Sequence, residues 1–281
     1  MPFIPNPSNM AIAASVTTAL LGGHPVHCTP PQAQESDMEF FEELATLDWR
    51  PTFFDPCTED WNERWLLDGL KATVTNGAEG MSFSAGPAEG EDASHAVLWT
   101  KPSFEGSIKV EYEYTRLDDA VSAVNIIYLL ASGSGVGSHD EDIAEWADER
   151  DVPSMRLYFN HMHTYHVSYA AFNLDNDDRS QDYVRARRYL PERPEGLKGT
   201  DLPPDHFSTG LFQTGVPHQI TLIKHGHELI MHVTNAEQEQ TFRWDTSIYP
   251  PITAGRIGLR HMWTRSSRYQ DFKVSVLTAD N

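Results

Sequence analysis

Cysteine is nearly absent. The 281 residues contain only Cys28 and Cys57, too few for a disulfide framework or a four-thiolate zinc site. Basic residues are scarce as well. Lys and Arg number 21 against 41 Asp and Glu, a formal charge of −20, so the summed field repels phosphate and argues against nucleic acid or an anionic membrane as partner. No apolar run approaches the roughly 18 residues of a membrane span. The chain also lacks HExxH, GxSxG, Walker and GxGxxG elements, which removes the common motif-defined hydrolases and nucleotide binders. What remains is ordinary globular composition, 40% hydrophobic and 22% charged, long enough to bury its own core without staples.

The first 49 residues hold no Lys or Arg. Within them Met10–Gly23 is mildly apolar and rich in small residues, and Pro30–Gln34 reads as a linker. Two readings stand: a degenerate secretory leader without its positive n-region, or a loosely packed extension. The leader reading points to a secreted or periplasmic protein and leaves Cys57 as a free thiol. The expected organisation is an extension over 1–48 and one domain over 49–281.

From Trp49 onward short β-rich segments alternate with Gly, Pro, Asn and Asp. Lys109–Tyr114 alternates strictly, the mark of a strand with one wet face. Gln219–Lys224 and Glu228–Val233 flank a His-Gly-His turn and read as a hairpin. Helix signals are few: Ser36–Leu47, and a short capped segment around Asp140–Ala147. The expected fold class is all-β, an antiparallel two-sheet β-sandwich or jelly roll with few short helices. The acidic run Asp140–Asp151 lacks the alternating ligands and central Gly of an EF-hand loop and reads as a solvated face.

Nine of the 21 basic residues fall in two arginine clusters, Arg179–Arg193 and Arg256–Arg268. Arginine offers planar bidentate donors suited to carboxylate or sulfate. The clusters read either as an anion site in an acidic shell or as ion pairs with neighbours such as Asp175, Asp177, Asp178, Asp182 and Glu192. Alternation puts Tyr165, Val167 and Tyr169 on one face of their strand and His166 with Ser168 on the other. In Ile257–Met262 it groups Arg260 with Gly258 and Met262. In Ala123–Tyr128 it assigns Val124, Ile126 and Tyr128 to the core and Asn125 to the outer set. His95 and Trp99 share a face. A sheet surface carrying His, Asn, Arg and Trp suits sugar recognition, with aromatic faces for pyranose rings and polar groups for orientation. His161 and His163 form an i, i+2 pair that would suit zinc, without a distant partner in the sequence.

The residues His95 and Trp99 in SHAVLWTKPSFEG, the run IIYLLASG, and His166, Ser168 and Tyr169 in HVSYAAF carry a resemblance. So do Asp201-Leu202-Pro203 and the closing run ITAGRIGLRHMWTRSSRYQDFKV. Together they resemble the YesU-like bacterial proteins, from about Trp61 to Val276. The resemblance implies a concanavalin A-like lectin/glucanase sandwich and an association with pectin (rhamnogalacturonan) degradation. It also implies a structural calcium near the last strand, with Asp271 as candidate ligand, and no cofactor for the reaction itself. The sequence departs from shorter members in its N-terminal extension and in the Asp140–Asp151 insert.

The function expected from these residues is cleavage of a uronic-acid-containing glycan by β-elimination. His166 is the candidate base, with an ordinary pKa near ~6.5. Arg260, helped by Asn125 or an arginine of the 185–188 cluster, neutralises the uronate carboxylate, and a loop tyrosine such as Tyr183 or Tyr189 protonates the leaving oxygen. Asn125, Ser168, Trp99, His95, Arg185, Arg188 and Met262 are the candidate substrate-binding residues. The partner is an acidic poly- or oligosaccharide. The alternatives are a non-catalytic lectin-like domain, or a retaining glycoside hydrolase with two carboxylates about 5–5.5 Å apart, for which Glu111 and Glu113 offer only an ExE on a solvated strand.

Overall fold

The computed structural model describes residues 31–172, 181–191 and 193–278. The leader segment Met10–Gly23, Cys28, Arg179, Asp175, Asp177, Asp178 and Glu192 lie outside them. The described strands are β1 (Trp49–Asp55), β2 (Trp65–Asp68), β3 (Thr73–Gly77), β4 (Gly80–Ser84), β5 (Ala96–Thr100), β6 (Phe104–Glu105), β7 (Ile108–Arg116), β8 (Asn125–Gly133), β9 (Met162–Phe172), β10 (Asp182–Tyr189), β11 (Asp201–Phe207), β12 (Pro217–His225), β13 (Glu228–Thr234), β14 (Glu239–Asp245), β15 (Ala254–His261) and β16 (Ser266–Leu277). Two α-helices accompany them, α1 (Pro31–Ala45) and α2 (Met155–His161), with a 3-10 segment over Ile143–Arg150.

The strands form two eight-stranded antiparallel sheets. The first runs β14-β13-β12-β7-β16-β4-β3, with β1 also on β16. The second runs β11-β10-β9-β8-β15-β5-β2, with β6 beside β15. This is the antiparallel two-sheet sandwich that the strand pattern predicts. The expected hairpin is present as β12–β13, joined across His225 and Glu228.

Strand β7 shows why the sheets stack. Ile108, Val110, Tyr112 and Tyr114 are buried, while Lys109, Glu111 and Glu113 between them are partly exposed. The inward set joins Ile127, Leu129, Val167 and Leu259 of the second sheet in one core. Cys57 is a free thiol in that core, and burial pushes its pKa up. Helix α1 covers the outer face of the first sheet: Leu44 packs with Ile223 and Ile230, and Phe41 stacks on His232 at 4.1 Å.

The middle of the second sheet, β5, β8, β9 and β15, is buried on both faces. The segment joining β8 to β9 folds back over its outer side. Ile143, Trp146 and Tyr158 from this insert pack on Val97, Trp99, Ile126 and Tyr128. A buried polar clasp fixes it there. Asp68 Oδ2 on β2 accepts from Arg150 Nε (2.6 Å), Tyr158 Oη (2.8 Å) and Trp99 Nε1 (2.7 Å). The acidic run read as a solvated face thus begins a segment whose other side is core.

Two assignments in β8 are corrected. Asn125 faces the inter-sheet core, where its Nδ2 donates to Tyr114 Oη (2.7 Å) and Ser267 Oγ (2.9 Å). Ile126 and Tyr128 face outward under the insert. A strand covered on both sides is apolar at both parities, so alternation does not distinguish its faces. A bulge between Leu129 and Ser132 then shifts the parity within the same strand.

Candidate functional site

The outer face of the second sheet carries two rows of side chains set by strand register. One row runs Arg187, His166, Tyr128, Gly258, Trp99, Leu66 across β10, β9, β8, β15, β5 and β2. The next runs Arg185, Ser168, Ile126, Arg260, Val97, Asp68. Gly258 has a structural reason in the first row. A Cβ there would stand 2.4 Å from the Trp99 ring, so the missing side chain lets the indole lie flat across β15. Trp99 then stacks on Tyr128, centroids 5.4 Å apart, and Tyr128 on Tyr158 at 6.1 Å.

The imidazole of His166 is held from both ends. Nδ1 meets Tyr189 Oη and Nε2 meets Ser168 Oγ, each at 2.6 Å. Burial, then the guanidinium charges of Arg187, Arg260 and Arg185, hold its pKa well below the usual histidine value, so the ring is neutral at physiological pH. A neutral ring has one donor and one acceptor nitrogen, and the two hydroxyls supply the complements. The Tyr189 phenol is pushed well up, chiefly by burial, so it too is neutral and keeps its proton.

Arg260 differs from its neighbours. Its Nη2 donates to the Pro153 carbonyl (2.6 Å) and to His95 Nδ1 (2.7 Å). That second bond places the His95 proton on Nε2. Burial and the Arg260 charge lower His95 to about 3. Arg260 Nε, Arg260 Nη1 and His95 Nε2 are all buried without a hydrogen-bond partner. The guanidinium lies 4.6 Å above the Tyr158 ring, and the His95 ring stacks on Trp263 at 4.8 Å. Orphaned buried donors of this kind are costly unless something outside the chain accepts from them.

The other predicted residues separate. Arg185 projects from the same face and binds Asp205 through Nε (2.8 Å) and Nη2 (2.6 Å). Met262 lies at its margin. Arg188 turns the opposite way from Arg187, toward the end of the sandwich, where its Cζ is 5.8 Å from the Tyr165 ring. His161 stacks on His139 at 3.7 Å, while the His163 Nδ1 meets Arg188 at 3.4 Å. Asp271 sits exposed in the first sheet, at a positive-φ bulge of β16. Among the described residues no group of three or more His, Cys, Asp or Glu side chains gathers as a metal site. Of the ion-pair alternatives, Arg187 takes Asp201, Arg256 takes Asp142 and Arg265 takes Asp118.

The expected open concave surface is also corrected. Trp99, Tyr189 and Arg260 are fully buried beneath the insert, and His166 and Ser168 are only 4% exposed. Arg185 and Met262, both 9% exposed, mark the side on which the face still meets solvent. Sequence reasoning missed Tyr128, Tyr158, Asp68 and Arg150. The insert residues came together with the sheet by long-range folding and carried no local signal. Gly258 did carry one, because a glycine inside a strand indicates a close approach.

No protein-family model matches the chain, and no curated protein does. Solved structures do. A Bacillus subtilis protein of unknown function with a galectin-like fold superposes with a TM-score of 0.59 at 19% identity, covering 82% of this chain and 98% of its own. Peanut lectin gives 0.52 at 12% identity, over 81% and 98%. The exoplasmic/lumenal domain of VIP36 in its Ca2+/Man3GlcNAc-bound form gives 0.50 at 8% identity, over 78% and 87%. These likenesses establish the lectin-like sandwich. No described helix is long and apolar enough to cross a membrane.

Proposed function

We propose that the protein is a carbohydrate-binding, lectin-like protein whose ligand is an acidic poly- or oligosaccharide held on the outer face of the second sheet. One observation carries this reading: Arg260 Nε and Nη1 and His95 Nε2, on two side chains bonded to each other, are buried without a hydrogen-bond partner. A sugar carboxylate and ring hydroxyls would accept from them. Trp99, Tyr128 and Trp263 supply the aromatic surroundings that pyranose faces favour. The Man3GlcNAc complex of VIP36 supports a sandwich of this shape as a carrier of oligosaccharides, and a polymeric acidic glycan fits a secreted or periplasmic setting.

Replacing Arg260 by Met tests the assignment. Affinity for uronate oligosaccharides is expected to fall by roughly 10- to 100-fold, the worth of one or two charged hydrogen bonds. The fold is expected to survive, because a buried cation without a carboxylate is replaced by an apolar chain of similar length. Calorimetric titration showing unchanged affinity would move the site elsewhere.

The lyase reading is kept for one reason. The 2.6 Å contact between His166 and Tyr189 puts a candidate base beside a candidate proton donor, within the field of the carboxylate-neutralising Arg260. Incubation with uronate polymers, followed by ultraviolet absorbance of the unsaturated ends, decides it. Turnover that disappears in His166→Ala while binding persists supports elimination; binding without new absorbance leaves the lectin reading. A retaining hydrolase fits less well, since Asp68, the carboxylate in these rows, is bonded to Arg150, Tyr158 and Trp99.

A further inference from the structure

The structure holds a second buried arginine without a carboxylate. Arg116, Arg150, Arg185, Arg256 and Arg265 each form an ion pair with Asp. Arg188 is 3% exposed and has none among the described residues. Its donors reach neutral acceptors: the Pro250 carbonyl at 3.3 Å, the Tyr189 carbonyl, and His163 Nδ1 at 3.4 Å from both Nη1 and Nη2. The contacts to Pro250 and His163, at 3.3–3.4 Å, are long for N–H donors. Burial lowers its pKa to about 10, an effect that the neighbouring Tyr165 offsets only in part.

This arginine lines a cleft of about 480 Å³ at the end of the sandwich. One wall is the loop of Pro250, Pro251 and Ile252, which is anchored where the Ile252 amide donates to Tyr165 Oη at 3.2 Å. The other carries the hydroxyls of Ser103 and Ser132. Glu141 and Asp142 stand on the rim. Asp142 is already bonded to the Arg256 guanidinium, and Glu141 is exposed. A second cation reinforces the field: Lys224, 4% exposed, lies 5.0 Å from the same Tyr165 ring that Arg188 approaches.

We infer that this cleft is a separate binding site for a carboxylate-bearing sugar unit, with Arg188 taking the carboxylate and the proline loop flanking the ring. The volume lies within the range of small-ligand pockets. An apolar wall matches the C–H face of a pyranose, serine hydroxyls match its oxygens, and rim carboxylates accept from its hydroxyls. Arg188 and Arg260 are on different faces of the sheet, so this site stands whether or not the Arg260 cluster binds saccharide.

The test uses the full chain carrying Arg260→Met, so that only the cleft is read, and titrates D-glucuronate by NMR chemical shift, with glucose and acetate as controls. Glucuronate is expected to bind about tenfold or more tightly than either control, since each control lacks one half of the recognition. Adding Arg188→Gln is expected to weaken it by about tenfold or more. Adding Ser103→Trp, which fills the cleft from its exposed rim and leaves Arg188 in place, is expected to do the same. That variant keeps the proposal testable if Arg188→Gln does not fold. Unchanged binding in the Ser103→Trp variant, acetate as strong as glucuronate, or no binding once Arg260 is replaced would each overturn the cleft assignment. None of these results bears on whether the wild-type chain uses Arg260.

Discussion

Below about pH 6.5 the protein is expected to lose stability steeply, and to unfold in mild acid rather than near pH 3. Burial and adjacent arginines hold His95 and His261 at about 3 in the folded chain and His166 well below its ordinary value. The unfolded chain titrates the same rings near ~6.5. Folded pKa values below unfolded ones mean that the unfolded state binds more protons in the interval between them, so stability falls as pH drops through it. Above about 7 both states are neutral at these sites and the effect is absent. Each such ring removes about 1.4 kcal/mol per pH unit, so three remove roughly 4 kcal/mol per unit, against a total of about 5–15 kcal/mol for a typical domain. His163, His206, His218 and His232 are shifted in the same direction. Asp68 and Asp182 are raised by burial and offset part of the slope at the acid end. Urea midpoints at pH 8, 7, 6 and 5 check this. A midpoint that holds constant from 7 to 5 would mean that these rings accept protons in place.

Replacing Asp68 by Ala is expected to cost about 3–5 kcal/mol, the range for removing one partner of a buried ion pair. Arg150, 1% exposed, loses the only carboxylate it contacts among the described residues, and Tyr158 and Trp99 lose their acceptor in the same change. Because Arg150 and Tyr158 belong to the insert and Asp68 and Trp99 to the sheet, the damage should be directional. Limited proteolysis within residues 134–161 is expected to accelerate before the rest of the sandwich opens. The exposed pair Lys71–Glu91, at 2.6 Å with both side chains 43% exposed, is the control. Lys71→Ala should cost under about 1 kcal/mol. Equal losses for the two variants in urea unfolding would show that the clasp does not hold the insert.

Legibility in the sequence followed the wetness of each strand. In β7, Glu111 and Glu113 between buried Val110, Tyr112 and Tyr114 mark the faces, and the reading held. In β9 and β15 a single polar residue, His166 or Arg260, was enough to set the parity correctly. In β8 both parities are apolar, so Asn125 was misplaced. Its amide serves an internal hydroxyl cluster instead of a sugar. Arg188 was grouped with Arg185 by proximity along the chain, though neighbouring positions of a strand such as Arg187 and Arg188 point to opposite sides. The clasp was invisible, because nothing local in Asp68 or Arg150 announces a partner 82 positions away.

If the proposed glycan site is correct, the clasp also sets the direction of approach. The insert is fastened over the β2 and β5 side, so a glycan would come from the opposite side. A chain entering there by its tip would leave sugars beyond the first few units trailing in solvent uncounted. Binding per molecule should then depend on the terminal residue and hardly at all on polymer length.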